Sequence, residues 1–165
     1  MSEEKNNLDL YEVNYHTLAI LPELQKNGDV YSKIYEGANV YMCKLPPSKI
    51  IKRSCEYFGC TYEGKRKGTR VLMNYKHKLP ISIDSKSTIY AFPTHSPTNH
   101  ACMWFFLHHI SDRIIEGGGK TTVIFRNNRR ISINVSFHTF NNQILRTNLL
   151  QTKIRHNQED SEKPL

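Results

Sequence analysis

Basic residues are concentrated in two segments of the 165-residue chain. Residues 44–78 contain ten Lys or Arg against Glu56 and Glu63, and residues 120–156 contain seven with no acidic residue. The whole chain carries a net charge of +8, so the other segments are acidic on balance. Charges that serve only solubility are mixed in sign, whereas two uncompensated basic segments indicate a polyanionic partner.

Nucleic acid is the polyanion that these residues suit best, because Lys and Arg neutralise phosphates and release counterions. Arginine also enters narrow A/T-rich minor grooves, where the potential is strongly negative. Tyr57, Phe58, Tyr62 and Tyr75 are interleaved with the first basic segment and offer stacking surfaces, although Phe58 is expected in the core. The predicted DNA contacts are Lys49, Lys52, Arg53, Lys65, Arg66, Lys67, Arg70, Arg129 and Arg130.

These contacts have different expected roles. Residues 65–70 are predicted to enter or line the groove, and the cations of residues 49–53 to hold flanking phosphates. Arg129 and Arg130, at the tip of a predicted late hairpin, would make a second contact.

Metal binding and catalysis have weaker support in the sequence. The spacing of the candidate ligands matches no known zinc site; these are His95, His100, Cys102 and His108. Cysteine is also common in protein cores, so Cys102 is expected to be a small core residue. The basic segments offer only two acids for acid–base chemistry, and residues 117–122 lack the first glycine of a phosphate loop. We therefore predict a binding protein with no metal or other cofactor, and not an enzyme.

Hydrophobic periodicity predicts the elements that carry these residues. Alternating residues or bounding turn residues predict strands over 11–21, 30–35, 39–45, 81–83, 88–92, 121–125 and 130–135, and an apolar run predicts one over 101–110. Turn residues at 36–38 and 127–128 predict two hairpins. Helical spacing predicts one helix from an N-cap at Ser48 to Gly59, a second over Lys65–Tyr75, and a closing helix over 138–155. Without regular βαβ alternation, the predicted fold is α+β, with mainly antiparallel strands, two short central helices and a C-terminal helix.

Apolar positions on the predicted helices also indicate which side chains are buried. Val71 is expected to face inward from the second helix, and Leu145 and Leu149 from the closing helix. We predict a single domain over 11–156, a flexible acidic N-terminus over 1–10 and a disordered polar tail over 157–165.

Composition points to a cytoplasmic protein. The acidic start is the reverse of a secretory signal, and no run reaches the roughly 18 apolar residues of a membrane span. The four cysteines are therefore predicted to be thiols and not disulfides.

An ordered series of short motifs relates the sequence to a known family. The motifs are Tyr11–Asn14, Ser32–Ile34, Ser54–Gly59, Tyr62–Thr69, His77–Ile81, Phe92–Thr94, Cys102–Trp104, Asn142-Gln143 and Arg146-Thr147. Over roughly residues 10–155, the chain resembles the ComK family of competence transcription factors from low-GC Gram-positive bacteria. The order of the motifs is far more specific than any one of them.

The resemblance implies a sequence-specific DNA-binding activator of genes for DNA uptake and recombination. Members of that family bind paired A/T-rich boxes largely through the minor groove, act as oligomers, and are delivered by an adaptor to a Clp protease. Expected partners are therefore double-stranded DNA at the nucleoid, further copies of the chain, a Clp adaptor and RNA polymerase. Longer members have a C-terminal tail implicated in proteolytic control, so we expect a shorter member or paralogue in which that control is altered.

Two other functions stay open at this point. An RNA-binding or nonspecific nucleic-acid-binding module would show little preference between an A/T-box duplex and scrambled or single-stranded competitors. A regulatory interaction protein that titrates a protease adaptor would fail to bind DNA and would co-purify with that adaptor.

Overall fold

The computed structural model describes residues 6–84 and 86–165, which form ten strands and three α-helices. The strands are β1 (Asn6–Leu8), β2 (Thr17–Leu24), β3 (Val30–Glu36), β4 (Asn39–Cys43), β5 (Ile81–Ser82), β6 (Tyr90–Pro93), β7 (Trp104–Phe106), β8 (Ile110–Glu116), β9 (Lys120–Phe125) and β10 (Arg130–Ile133). The helices are α1 (Pro47–Tyr57), α2 (Tyr62–Met73) and α3 (Phe137–Ser161). Apart from the parallel pair β1–β4, the paired strands are antiparallel, so the predicted α+β fold is confirmed.

The strands form two sheets. The large sheet has seven strands in the order β1-β4-β3-β2-β7-β6-β5, and the small sheet has three in the order β10-β9-β8. Successive residues of β7 point to opposite faces of the large sheet, so Trp104 packs with α1 whereas Phe105 packs with β9 and α3. The large sheet therefore lies between a layer formed by α1 and α2 and a layer formed by the small sheet and α3.

Each face of the large sheet has its own hydrophobic core. On the α1–α2 side, Ile50, Ile51 and Cys55 pack with residues that include Ile20 and Trp104. The core on the other side is more aromatic: its phenylalanine rings, Phe92, Phe105, Phe125 and Phe140, are all fully buried. Burial of each such side chain is worth about 1.5–3 kcal/mol, so the two cores fix both outer layers on the sheet.

Helix α1 begins at Pro47, with Pro46 as its N-cap, and not at an N-cap provided by Ser48. Proline suits the first helical position because its missing N–H would have no partner inside the helix. The helix stops before Gly59, as predicted: this glycine has a φ of +82° and its N–H donates to the Glu56 carbonyl.

Helix α2 begins three residues earlier than predicted, at Tyr62. The Thr61 hydroxyl accepts a hydrogen bond from the Gly64 N–H, which caps the first turn. The helix ends at Met73, and its C-cap Asn74 has a left-handed φ of 55° and an N–H that donates to the Arg70 carbonyl. The caps at Thr61 and Asn74 therefore define both ends of the helix, although it contains two glycines.

The strand predicted over 11–21 is displaced toward the C-terminus. Residues 11–16 are outside the sheet, because Val13 N–H donates instead to the Ser54 hydroxyl of α1. Strand β2 starts at Thr17 and continues through Pro22. Beyond Ile20, its only neighbour among the described residues is β3, and a strand with one free edge tolerates proline.

The apolar run over 101–110 is not one strand. It contains β7, a 3₁₀ turn at Leu107–His109, and the first residue of β8. The sequence predicted no strand over 111–116, because these residues do not alternate between apolar and polar. In the structure they form most of β8, an edge strand of the small sheet that is largely exposed. By contrast, the hairpins β3–β4 and β9–β10 lie where their turns predicted them.

The predicted terminal segments differ from the structure. Helix α3 continues to Ser161, so the tail predicted to be disordered from residue 157 is helical over its first five residues. No Gly or Pro interrupts the helix before Pro164. Asn6–Leu8 pair with β4, whereas the predicted flexible residues 1–5 lie outside the described residues.

Three residues predicted to face inward are exposed. Val71 is 75% exposed, and Leu145 and Leu149 are 50% and 56% exposed. The inward positions on α2 and α3 are taken partly by the polar residues Thr69 and Gln143, which the hydropathy pattern cannot identify. In the described ranges, no helix combines the length and apolar character that crossing a membrane requires.

Candidate nucleic-acid interface

Helices α1 and α2 pack side by side and carry the predicted basic residues on their outer surfaces. On α1, Ile50 and Ile51 are buried, whereas Lys49 and Lys52 are exposed and Arg53 is half-buried. The three cations follow at i, i+3 and i+4, which places them on one face of the helix. The outer face of α1 is therefore basic.

Helix α2 extends this surface. Lys67 and Arg70, three residues apart, are exposed, whereas Lys65 and Arg66 are half-buried. We call the seven cations of the two helices the α1–α2 surface: Lys49, Lys52, Arg53, Lys65, Arg66, Lys67 and Arg70. The structure therefore brings seven of the nine predicted contact residues into one layer.

Two members of the α1–α2 surface form salt bridges with the acids that the structure describes. Arg53 Nη2 lies 3.6 Å from the Glu12 carboxylate, and Arg66 Nη1 lies 3.1 Å from that of Glu63. Exposed pairs of this kind are worth only about 0–1 kcal/mol, so phosphates can compete for the arginines. Because the other five cations form no salt bridge with a described residue, the surface keeps a strong positive charge.

The aromatic residues of this region have separate positions. Tyr57 is 70% exposed and is the aromatic side chain of α1 that is available for stacking. Phe58 and Tyr62 pack against the core, and Tyr62 makes an edge contact with Trp104 at 6.2 Å between ring centroids. Burial raises the pKa of the Tyr62 hydroxyl to about 12. The Arg146 guanidinium lies over the Tyr75 ring, with its central carbon 4.3 Å from the ring centroid.

Arg146 of α3 fixes the segment that follows α2, a role that the charge pattern did not reveal. Its guanidinium donates to the carbonyl oxygens of His77 at 2.8 Å and Lys78 at 3.2 Å. Burial lowers the pKa of the Arg146 side chain, an effect that Tyr75 partly offsets. The family resemblance singled out Arg146 by position without assigning it a role.

Arg129 and Arg130 lie elsewhere. They are in the β9–β10 hairpin of the small sheet, on the side of the large sheet opposite to α1 and α2. Arg129 donates to the Ala38 carbonyl at 3.1 Å and lies 5.1 Å from the Tyr35 ring centroid, so it holds the hairpin against the β3–β4 turn. Arg130 is exposed. This pair is not part of the α1–α2 surface.

The four residues considered for metal binding do not converge. Cys102 Sγ donates to the His95 carbonyl at 3.4 Å, and His108 Nε2 donates to the Tyr15 carbonyl at 2.9 Å. Within residues 6–84 and 86–165, no three His, Cys, Asp or Glu side chains form a metal-binding group. Burial raises the pKa of the Cys102 thiol to about 11, which disfavours the thiolate that metals bind.

Gly117–Gly119 form the turn between β8 and β9. The turn precedes a strand, so no helix N-terminus follows it to hold a phosphate. The described cysteines, Cys43, Cys55, Cys60 and Cys102, are all free thiols.

Comparison with known proteins agrees with the motif series. The sequence matches the family described as "ComK protein" over residues 8–159. It is 36% identical over 148 residues to the competence transcription factor of Bacillus subtilis (strain 168), an alignment that covers 90% of this chain and 77% of that protein. No solved structure is significantly similar to the chain. The family match spans both basic helices, the large sheet and most of α3, and on this evidence the chain belongs to the ComK family.

Proposed function

We propose that this protein is a competence transcription factor that activates genes for DNA uptake by binding paired A/T-rich boxes in double-stranded DNA. The proposal rests on family membership and on the relative in Bacillus subtilis, which is a competence transcription factor. The observation that carries it is the α1–α2 surface, a single layer with seven cations and few acidic neighbours. A function of this kind needs a binding surface and no reaction, so we assign no catalytic residue and no cofactor.

Charge and exposure support DNA as the partner of the α1–α2 surface. Lys49, Lys52, Lys67 and Arg70 are all exposed, and the salt bridges of the described residues engage none of them. Exposed, unpaired cations are available for phosphate contact, and the counterion release that follows favours binding. The half-buried Arg53 and Arg66 are pre-positioned by Glu12 and Glu63, whose carboxylates a phosphate oxygen would replace.

The mode of binding follows from the side chains on α2. An A/T-rich minor groove is narrow and strongly negative, and it admits extended Lys and Arg side chains better than a whole helix. We propose that Lys65, Arg66, Lys67 and Arg70 enter or line this groove. The α1 cations would then hold the flanking phosphates, and Arg129 with Arg130 would make a separate second contact.

The remaining partners follow from the family. We propose that several copies of the chain bind the paired boxes together, that RNA polymerase is recruited at the promoter, and that a Clp adaptor controls the amount of protein. These interactions place the protein in the cytoplasm, at the nucleoid.

A gel shift with a duplex that carries paired A/T boxes tests the proposal. The control duplex has the same length with the boxes replaced by G·C pairs, and both are titrated at several salt concentrations. We expect at least about tenfold tighter binding to the A/T duplex, in keeping with a few kcal/mol of discrimination spread over several positions.

The two alternatives give different results in this experiment. Equal affinity for the A/T duplex, the G·C duplex and single strands would identify a nonspecific nucleic-acid-binding module. Absence of DNA binding, together with co-purification of a protease adaptor, would identify a regulatory interaction protein.

A further inference from the structure

A second cationic site lies between the small sheet and α3, away from the α1–α2 surface. It is a cleft of about 310 Å³ whose walls come from β6, β8, the 3₁₀ turn and α3. Its polar lining includes Arg113, Arg126, His108 and Tyr90, and its apolar lining includes Leu107 and Ile144. The cleft is at the small end of the range for ligand sites, and its mainly polar lining suits a small polar ligand.

The two arginines of the cleft keep unused donors. Arg113 directs Nε and Nη2 at the Asn141 side-chain oxygen, at 3.0 and 2.6 Å, which leaves Nη1. Arg126 Nε donates to the His108 carbonyl at 2.8 Å, and both terminal nitrogens are without a hydrogen-bond acceptor among the described residues. Neither guanidinium forms a salt bridge with an acid of the described residues. Two oriented arginines in one cleft therefore lack a counter-anion.

Other charged groups near the cleft do not fill this role. Burial lowers the pKa of His108 and raises that of Tyr90; the negative charge of Asp84 partly offsets the first effect and adds to the second. The Asp84 carboxylate already accepts three hydrogen bonds, from the N–H and hydroxyl of Thr88 and from the N–H of Ile89. Arg155 works against burial and Asp84 by lowering the pKa of Tyr90, so it adds positive charge beside the cleft.

A histidine of the cleft is also incompletely bonded. His108 Nε2 donates to the Tyr15 carbonyl, whereas its Nδ1 is buried with no hydrogen-bond partner among the described residues. Buried polar atoms without a partner are rare in folded proteins. Because Nε2 carries the proton of the neutral ring, Nδ1 is an acceptor and suits a hydroxyl group of a ligand or a water, and not a phosphate oxygen.

We infer that the cleft between the small sheet and α3 binds a small phosphorylated molecule through Arg113 and Arg126. A phosphate group matches the fork of a guanidinium and carries almost two negative charges at neutral pH, so it can neutralise both arginines at once. A single carboxylate carries one charge and would leave part of the cleft uncompensated. Leu107 and Ile144 would cover the less polar part of the ligand.

Isothermal titration calorimetry of the full chain at low salt tests the inference, with pyrophosphate and ribose 5-phosphate as probes. We expect both to bind and ribose, which lacks the phosphate, not to bind. Arg126→Gln should weaken binding by about tenfold or more, because it removes charge-assisted hydrogen bonds. Arg113→Lys keeps the charge but loses the fork and should weaken binding as well.

Lys153→Gln is the matched control, since Lys153 is an exposed cation of α3 that does not line the cleft. It should bind the probes like the wild type, and Arg126→Gln should still bind the A/T duplex, so this site and the DNA surface can fail separately. The inference is overturned if neither probe binds, if citrate binds as tightly as they do, or if Lys153→Gln weakens binding as much as Arg126→Gln. A thermal melt of each variant confirms that loss of binding is not loss of folding.

Discussion

Single polar side chains attach both outer layers to the segment before β5 and to β6. The buried Thr69 hydroxyl of α2 donates to the Pro80 carbonyl at 2.7 Å. From α3, the Gln143 amide donates to the carbonyl oxygens of Lys78 at 2.9 Å and Pro93 at 2.6 Å. A buried carbonyl that loses its donor costs about 1–3 kcal/mol, so these contacts position the helices as effectively as apolar packing does.

Replacement of Thr69 by valine tests the attachment of α2. Thr69→Val keeps the shape of the side chain but leaves the Pro80 carbonyl without its donor, so we expect a loss of about 1–2 kcal/mol in the free energy of unfolding. Urea denaturation measures this change. Thr152→Val is the control, because that exposed hydroxyl only bonds back to Asn148 of its own helix. Equal stability of the two variants would mean that the Thr69 contact does not hold α2.

Asp84 gives stability that depends on pH. Burial alone would raise the pKa of its carboxyl, but hydrogen bonds from the Thr88 hydroxyl and from the N–H groups of Ile89 and Thr88 lower the pKa below its ordinary value of 3.8. A carboxyl with a depressed pKa in the folded state stabilises the protein above the unfolded-state pKa. This contribution is lost as the pH falls through the folded-state pKa.

We therefore expect Asp84→Asn to be less stable than the wild type at pH 7, with a difference that shrinks as the pH falls below about 4. Urea denaturation at several pH values measures both curves. Asp29→Asn, at an exposed turn position, should follow the wild type throughout. A difference for Asp84→Asn that stays constant down to acidic pH would contradict the role of the charged carboxylate.

Residue types indicated the charged surface well and the buried polar positions poorly. Lys67 and Arg70 are exposed as predicted, because charged side chains avoid burial irrespective of neighbours. Leu145 was predicted to be buried, yet Gln143 and Thr147 occupy the inward face of α3. The Gln143 amide donates to the carbonyls of Lys78 and Pro93, and the Thr147 hydroxyl to the Gln143 carbonyl of its own helix. Hydrophobic periodicity cannot reveal polar positions that are buried in this way.

At the level of elements, α2 is a helix that its composition disfavours. It contains Gly64 and Gly68, and each interior glycine costs about 0.5–1 kcal/mol relative to alanine. A Cβ at position 68 would meet no atom within 4 Å, whereas one at position 64 would lie 2.9 Å from the Thr61 hydroxyl oxygen. An alanine therefore has room at position 68 but would crowd Thr61 at position 64.

Gly68→Ala should raise the free energy of unfolding by about 0.5–1 kcal/mol, because helix propensity improves without a clash. Gly64→Ala should gain less or be destabilising, since the new methyl group crowds the N-cap hydrogen bond. Thermal and urea denaturation of the two variants measure the contrast. A destabilised Gly68→Ala protein would contradict the open surroundings of position 68.

Elements with strong turn or capping residues were predictable from sequence, and those defined by distant contacts were not. Hairpin β9–β10 and the end of α1 at Gly59 follow from local turn chemistry. Residues 11–16 alternate like a strand, but their hydrogen bonds go to Ser54 and Thr17. Strand β8 is defined by its pairing with β9, which no local pattern specifies.

At the level of the whole molecule, the large sheet separates two cationic regions. The α1–α2 surface lies on one face, and the small sheet with its cleft and with Arg129 lies on the other. The charge pattern identified both regions as basic, but it could not tell that they face away from each other. This separation would let a ligand bind in the cleft without occupying the α1–α2 surface.

The central claim, that the α1–α2 surface binds A/T-box DNA, is tested most directly by the salt dependence of affinity in exposed-cation variants. Fluorescence anisotropy of a labelled A/T duplex compares the wild type with Lys67→Gln/Arg70→Gln and with the control Lys120→Gln/Lys153→Gln, in which two exposed cations outside this surface are neutralised. The first variant should bind more weakly, and the slope of log affinity against log salt should become shallower by about 1.8, because each phosphate contact contributes about 0.9. The control should match the wild type. An unchanged affinity and slope for Lys67→Gln/Arg70→Gln, or an equal change in the control, would contradict the account.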